Sequence, residues 1–168
     1  MDTFDAIRTL RAVRNFDSRD VPDEIITRIL NAGRLSGSSK NTQPWQFILV
    51  KNRETMNALA DCGDYTDHLR RANFAIVIVT EKARRAKYDA GRCSQNMFLA
   101  AWNEGVGSCI ASMHREQDAK RVLGVPDDFE IQQVISFGYP APESNPLNRP
   151  PRKGARKPLK SLVHQEKW

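Results

Sequence analysis

The sequence predicts one domain of the α/β or α+β class with a mixed β-sheet, and two observations indicate it. Segments with apolar residues at helical spacing alternate along the chain with short apolar runs of strand length. The chain has 168 residues, 40% of them hydrophobic, which is enough to bury one substantial core. It contains no internal repeat, so a single domain is the expectation.

The predicted helices follow from apolar spacing and from residues that suit helix ends. In the second helix, Pro22 suits the first turn, and Asp23 and Glu24 suit its positive end. The longest pattern has such a broad apolar surface that we expect it to be buried, with a second subunit as one candidate neighbour. The predicted helices cover residues 3–11, 22–35, 53–61, 84–104 and 115–123.

The predicted strands are the short apolar runs between these helices. The run at residues 74–79 is continuously apolar, which is typical of a central strand buried on both faces. Residues 106–112 are mostly small, which fits either the close approach of a ligand or tight packing of a helix on the sheet. The remaining strands are predicted to end at Val50 and to cover residues 131–137.

Residues 36–45 (SGSSKNTQPW) form a polar loop between a helix and a strand. Ser38, Ser39, Asn41 and Gln43 offer hydrogen-bond donors and acceptors, and Gly37 lets the backbone approach another group closely. An ordinary surface turn has the same composition. The loop alone therefore predicts either a turn or a ligand-binding segment.

Positive charge is unevenly distributed in this chain of net charge +6. Arg11 and Arg14 follow the first predicted helix, where they could form a fork for phosphate or remain solvated. Six more cations lie near the end: Arg149, Arg152, Lys153, Arg156, Lys157 and Lys160. A phosphorylated cofactor, nucleic acid and water all remain candidate partners for these charges.

Several classes of site are not indicated by the sequence. Cys62, Cys93 and Cys109 form no CxxC pair, and the three histidines are far apart, so neither a disulfide framework nor a metal site is predicted. There is no P-loop, no GxGxxG and no apolar run of membrane-spanning length. The first residues lack the layout of a signal peptide, so the cytoplasm is the expected compartment.

Taken together, stretches along almost the whole chain resemble the FMN-dependent nitroreductase family. The stretches are residues 11–16 (RAVRNF), the loop 36–45, Gln95 and Asn96 in the long helix leading to residues 105–108 (GVGS), residues 135–140 (ISFGYP) and residues 156–159 (RKPL). They occur in the same order as in the family, and the last stretch is basic, as it is in the family.

The resemblance implies an α+β fold with a mixed central sheet wrapped by helices and an extended C-terminal arm. Residues 1–140 would form the FMN-binding domain, and residues 141–168 would form an arm that docks on the partner subunit of a homodimer. The implied activity takes hydride from NAD(P)H and reduces a small organic acceptor, nitroaromatic or quinone-like, by a ping-pong mechanism. The chemistry would occur at flavin N5, with no catalytic side chain and no metal.

The resemblance also assigns residues to the FMN site. Arg11, Ala12 and Arg14 would lie along FMN, with Arg14 near the pyrimidine edge of the ring and Arg156 at the phosphate. Three residues would reach FMN from the other subunit: Ser38, Ser39 and Asn41. Four residues would place backbone amides near N5: Ile110, Ala111, Ser112 and Met113. His68 would be a polar group beside the ring.

The chain departs from the family pattern in two places. Many members have Arg-Arg-Ser at the first motif, where this chain has Leu10, Arg11 and Ala12, so Arg156 and its basic neighbours would have to hold the phosphate. Many members also have a long insertion before the long helix, which covers the substrate. Here Thr80 is followed almost at once by that helix, which predicts a short and open substrate side.

Two other functions fit the sequence. One is a flavin enzyme of the same fold with a different reaction, such as dehalogenation or consumption of its flavin. The other is a protein without redox activity, whose basic arm binds an anionic ligand or nucleic acid. Residues 149–160 lack the interleaved aromatic residues of single-strand binders, so nucleic acid is not the predicted partner. No membrane partner is predicted either, because no apolar run has spanning length. The physiological acceptor and the choice between NADH and NADPH are not encoded in any motif.

Overall fold

A computed structural model describes residues 1–83, 85–146 and 156–168. Five α-helices and four β-strands make up this part of the chain. The helices are α1 (Thr3–Thr9), α2 (Asp23–Arg34), α3 (Arg53–Ala60), α4 (Ala86–Asn103) and α5 (Glu116–Leu123). The strands are β1 (Trp45–Val50), β2 (Phe74–Glu81), β3 (Gly107–Ala111) and β4 (Phe129–Gly138).

Every predicted helix and strand is present, and the differences lie at the ends. Helix α1 stops at Thr9 and not at Arg11, because the next residues extend and Ala12 forms a β-bridge with Ser108. Strand β4 begins at Phe129, two residues before the predicted start, because its first residues pair with the end of β2. Arg84, predicted to begin the long helix, lies outside the described residues.

The four strands form one sheet in the order β1-β2-β4-β3. All ladders between these strands are antiparallel, and the bridge between Ala12 and Ser108 supplies a parallel pairing. The first seven residues of β2 are buried, so the prediction of a central strand covered on both faces is confirmed. The predicted α+β class is also confirmed.

Helices cover both faces of the sheet. Because side chains alternate along a strand, Ala75 and Val77 of β2 face one core cluster while Ile76 and Ile78 face the other. Helices α3 and α5 contribute Met56, Leu59 and Ala119 to the first cluster. Helices α2 and α4 contribute Ile26, Ile29, Cys93 and Met97 to the second. The aromatic rings of Phe74 and Phe137 stack in the second cluster with centroids 5.0 Å apart.

The C-terminal segment contrasts with this packing. Residues 156–168 are all exposed, including Leu159, Leu162, Val163 and Trp168. The division at residue 140, with a docking arm beyond it, stays a prediction. Within the described residues, no helix combines the length and the apolar character that crossing a membrane requires.

Candidate functional site

Residues 11–16 lie against the β3 edge of the sheet. The amide of Val13 donates to Ser108 O at 2.9 Å, and the amide of Asp17 donates to Tyr139 O at 2.9 Å. This approach needs glycine at two positions, because a Cβ on Gly107 would lie 2.4 Å from Val13 Cγ2 and one on Gly138 would lie 2.9 Å from Phe16 Cδ1. The small residues of the β3 region thus permit the close approach of another backbone.

A cavity of about 280 Å³ opens beside this contact, and we call it the β3 cavity. Arg11 donates from Nη1 to the backbone oxygens of Arg8 and Leu10, at the C-terminal end of α1. Arg14 is exposed and makes no hydrogen bond or ion pair with any described residue. The lining residues are Leu10, Arg11, Ala12, Arg14, Phe98, Ser108, Cys109 and Ile110.

Strand β3 directs backbone groups toward its outer edge, beside this cavity. Ser108 O points away from β4, since it accepts from Val13. The N–H and C=O of alternate residues in a strand point to the same edge, so those of Ile110 also point there. No described strand continues beyond that edge. The Ile110 side chain is 45% exposed and lines the cavity.

The other three residues predicted near N5 do not line the cavity. Ala111 is buried in the first core cluster, where it pairs with Val134 of β4. Met113 packs partly against the same cluster, and Ser112 is exposed beyond the end of β3. Their predicted role as backbone donors remains untested, and their side chains belong to the core or to the surface.

His68 is buried behind β3 in a short hydrogen-bonded chain. Its Nδ1 lies 2.7 Å from Ser136 Oγ, and Ser136 Oγ donates to Cys109 O at 3.2 Å. Which of the two atoms, His68 Nδ1 or Ser136 Oγ, donates in the shorter contact depends on the tautomer of the imidazole ring. His68 Nε2 is a buried atom without a hydrogen-bond partner among the described residues.

Burial and the charge of Arg14 set the ionisation of two of these groups. Burial, together with Arg14, lowers the pKa of His68, while the Ile110 backbone and Asp67 oppose that shift. Burial raises the pKa of the Cys109 thiol, and Arg14 opposes this in turn. His68 is therefore neutral near pH 7 and Cys109 is a protonated thiol, so neither is an ionised catalytic group.

The polar loop 36–45 forms a different cavity, of about 550 Å³, which we call the α4 cavity. Three non-glycine residues of the loop have a left-handed backbone: Lys40 (φ 53°), Asn41 (φ 55°) and Gln43 (φ 48°). The amide of Gln43 donates to Ser38 Oγ at 2.8 Å, which helps to hold this shape. Ser38 and Ser39 line the cavity with Arg85, Tyr88, Asp89 and Arg92, whereas Asn41 is exposed outside it.

Asp89 fastens the loop to α4. Its side chain is buried; Oδ2 accepts from the Ser39 amide at 3.2 Å, and Oδ1 accepts from Arg92 Nη2 at 2.6 Å. Arg85 donates from Nη1 to Ser39 Oγ at 3.3 Å. Sequence reasoning missed Arg85, the N-cap residue of α4, and Asp89 and Arg92 within the helix. Their spacing was the available signal, since residues three and four apart share one helix face.

The predicted site residues thus fall into separate groups on one chain. Arg11, Ala12, Arg14 and Ile110 meet at the β3 cavity, and no residue lines both cavities. Arg156, Lys157 and Lys160 are exposed and line neither of them. The remaining basic arm residues, Arg149, Arg152 and Lys153, lie in residues 147–155, outside the described part of the chain. The described residues contain no group of three or more His, Cys, Asp or Glu that could hold a metal ion.

Comparison with known proteins gives consistent matches over the whole chain. The sequence profile of the nitroreductase family matches residues 7–64 and 60–139. A relative from Archaeoglobus fulgidus, provisionally named NADH dehydrogenase/NAD(P)H nitroreductase, is 31% identical over 96% of each chain. A crystal structure from Parabacteroides distasonis with the same provisional name has a TM-score of 0.87 and 25% identity, and covers 99% of this chain and 98% of that one.

One similar structure contains a cofactor. It is a provisionally named nitroreductase in complex with FMN from Desulfovibrio desulfuricans. It has a TM-score of 0.80 and 25% sequence identity, and the match covers 100% of this chain and 99% of that one. The similarity therefore extends over the entire length of both proteins.

Proposed function

Since the chain belongs to the nitroreductase family, we propose that it is an FMN-dependent oxidoreductase that uses NAD(P)H to reduce a small organic acceptor. We propose a nitroaromatic or quinone-like acceptor and a ping-pong mechanism. Bound FMN would supply the hydride chemistry between NAD(P)H and the acceptor. The chain's own residues would bind the cofactor and orient it.

The observation that carries this proposal is the β3 cavity. Its apolar walls, Leu10, Phe98 and Ile110, suit a flat aromatic ring, and Arg11 and Arg14 supply positive charge at its margin. Arg14 has no described partner, so its guanidinium is available to a ligand. A planar, electron-accepting cofactor that becomes anionic on reduction is stabilised by this combination of apolar and cationic groups.

We assign roles to the residues on this basis. Arg14 would hold the pyrimidine edge of FMN, and the free Ile110 amide would face the ring without reorganisation during the reaction. His68, whose buried Nε2 has no partner among the described residues, is the polar group that we propose beside the ring. Arg156 would bind the phosphate with bidentate, charge-assisted hydrogen bonds, because Leu10 and Ala12 cannot.

We further propose that the functional unit is a homodimer. Ser38 and Ser39 line a different cavity from Arg14, so in one chain they cannot serve the β3 cavity, and a second copy would have to bring them there. The C-terminal segment also exposes an apolar set that its own domain does not cover. That set is Leu159, Leu162, Val163 and Trp168.

Purification of the full chain with added FMN tests the proposal directly. We expect flavin absorbance bands near roughly 370 and 450 nm to survive desalting, to bleach on addition of NADH or NADPH, and to return with an acceptor. Light scattering on the same preparation is expected to give the mass of two chains. Product analysis with nitro, quinone and halogenated acceptors separates general reduction from dehalogenation. Protein that retains no flavin would instead support the alternative of an anion-binding protein without redox activity.

A second expected result concerns the pH dependence of stability. The unfolded chain binds a proton at His68 near pH 6.5, whereas the folded chain binds it only at lower pH, because burial and Arg14 lower the pKa of His68. The contribution of His68 to the free energy of unfolding is therefore complete above pH 6.5 and falls as the pH drops below that value. Urea unfolding measured at a series of pH values checks this.

The matched control is His68→Gln, which keeps an amide able to hydrogen bond to Ser136 but has no titrating ring. We expect the variant to lose less stability than the parent between neutral and mildly acidic pH. Equal losses in both proteins would show that His68 does not carry a lowered pKa in the folded chain.

A further inference from the structure

We propose that the α4 cavity binds a planar organic anion that carries a phosphate or a carboxylate. The cavity is lined by Ser38, Ser39, Arg85, Tyr88, Asp89 and Arg92. None of its residues takes part in the β3 cavity. The inference rests on the chemistry of these side chains and, for its connection with catalysis, on the proposed function.

The negative charge of Asp89 is already compensated. Both of its oxygens accept hydrogen bonds, from Arg92 Nη2 and from the Ser39 amide, and the side chain is buried. Arg92 keeps the rest of its guanidinium at the cavity, where its side chain is 44% exposed. Asp89 therefore orients Arg92 and holds the loop 36–45 against α4. Because its charge is compensated, it leaves little negative charge to repel an anion.

The remaining groups at the cavity are mainly hydrogen-bond donors. Arg85 uses Nη1 on Ser39 Oγ, and its other nitrogens have no partner among the described residues. Ser38 Oγ and Ser39 Oγ each accept a hydrogen bond, so their hydroxyl hydrogens stay available to donate. A wall with free donors and few free acceptors is complementary to a ligand rich in acceptors, such as phosphate or carboxylate.

Tyr88 adds a flat apolar surface to these donors. Its side chain is largely exposed, and the Arg92 guanidinium lies 5.2 Å from the centre of its ring. An aromatic ligand could stack on the exposed ring while its anionic group reaches the arginines. This arrangement favours an anion with a planar part over a simple inorganic ion.

The position of Arg85 is unfavourable for the helix itself. It is the N-cap residue of α4, and it makes no side-chain capping hydrogen bond. A cation there lies at the positive end of the helix dipole, which costs stability. An anion bound by Arg85 and Arg92 would offset this loss of helix stability.

The cavity also has a place in the proposed reaction. Ser38 and Ser39 are the residues proposed to reach the FMN of the partner subunit, so a ligand in this cavity would lie next to the ring. It would then be the anionic part of a substrate. The same chemistry has two sources: the 2′-phosphate of NADPH, or the charged group of an anionic acceptor.

Calorimetry with matched probe pairs tests the proposal on the purified full chain. One pair is adenosine 2′,5′-bisphosphate and adenosine 5′-monophosphate; the other is 4-nitrobenzoate and 4-nitrobenzyl alcohol. In at least one pair, we expect the more anionic member to bind about fivefold or more tightly, a size typical of one charge-assisted contact in a partly exposed site. The pair that shows the preference identifies the source of the anion.

Variants decide whether the α4 cavity is responsible. We expect Arg85→Gln to abolish the preference and Arg85→Lys to keep part of it. The control is Arg28→Gln, which removes an exposed arginine of α2 that pairs with Glu104, the residue that follows α4. If no pair shows a preference, or if Arg85→Gln preserves it, the proposal is wrong.

Flavin retention distinguishes this proposal from the proposed function. We expect Arg85→Gln to retain FMN as the parent does, since the α4 cavity is assigned to a substrate. Loss of FMN in that variant would overturn the proposal, because the cavity would then belong to the cofactor. Protein that binds the anionic probe but no flavin would support the anion site while refuting the flavoenzyme.

Discussion

Replacement of Arg14 by alanine is expected to release FMN from a protein that remains folded. Arg14 is exposed, lines the β3 cavity and has no described partner, so its removal breaks no internal contact. A hydrogen bond to a charged group contributes about 1.5–3 kcal/mol, which corresponds to about a 10- to 150-fold weaker Kd. Flavin absorbance after desalting and titration with FMN would measure the change.

Arg156→Ala is expected to have a similar effect for a different reason. Where the resemblance to the family implies an arginine and a serine for the phosphate, this chain has Leu10 and Ala12. The phosphate of FMN would consequently depend on the basic residues of the C-terminal segment, of which Arg156 is exposed. Riboflavin, which lacks the phosphate, is the diagnostic ligand: Arg156→Ala should weaken FMN binding and leave riboflavin binding unchanged, whereas Arg14→Ala should weaken both.

Arg121→Ala supplies the control for both variants. Arg121 is an exposed arginine on α5 that pairs with Asp118 and lines neither cavity. Its loss changes the net charge by the same amount and should leave FMN binding unaffected. If Arg14→Ala and Arg156→Ala both retained full FMN, the assignment of the cofactor site would be wrong.

The fold was predictable because its signals are local. The continuous apolar run of β2 indicated burial, and the first seven residues of that strand are buried. The broad apolar surface of α4 indicated burial as well, but the helix buries one side, with Cys93, Met97 and Ala101, while Phe98 and Leu99 are only half-buried. The polar loop before Trp45 separated a helix from a strand as expected. Element ends were harder to predict, because they depend on a partner: β4 is longer than its own apolar run since β2 pairs with its beginning.

The site was predictable only in part, because it is assembled by contacts between distant segments. Nothing local to residues 11–16 shows that they pack against β3, and this contact places Arg14 beside Ile110 and Cys109. The hydrogen-bonded chain through His68 and Ser136 likewise joins residues 68 positions apart. Composition cannot show which polar atoms of such a network remain unpartnered.

The glycine at the start of β3 connects the stability of the fold with the cofactor site. Gly107→Ala would place a Cβ 2.4, 2.6 and 2.9 Å from Cγ2, Cβ and Cγ1 of Val13. The Cβ atom of Val13 cannot rotate away, so the backbone of residues 11–16 would have to move. Overpacking of this kind lowers the free energy of unfolding by about 1–3 kcal/mol, and urea unfolding would measure it.

The same substitution should weaken FMN binding although it changes no residue assigned to the cofactor. Val13 lies between Arg11 and Arg14 in the chain, so a displaced Val13 moves both arginines relative to Ile110. Gly91→Ala is the matched control. Gly91 lies in α4, and a Cβ there would meet no atom within 4 Å, so alanine should stabilise the helix by about 0.5–1 kcal/mol. If Gly107→Ala were as stable as the parent and bound FMN equally well, residues 11–16 would not be held against β3, and the β3 cavity would lose its structural basis.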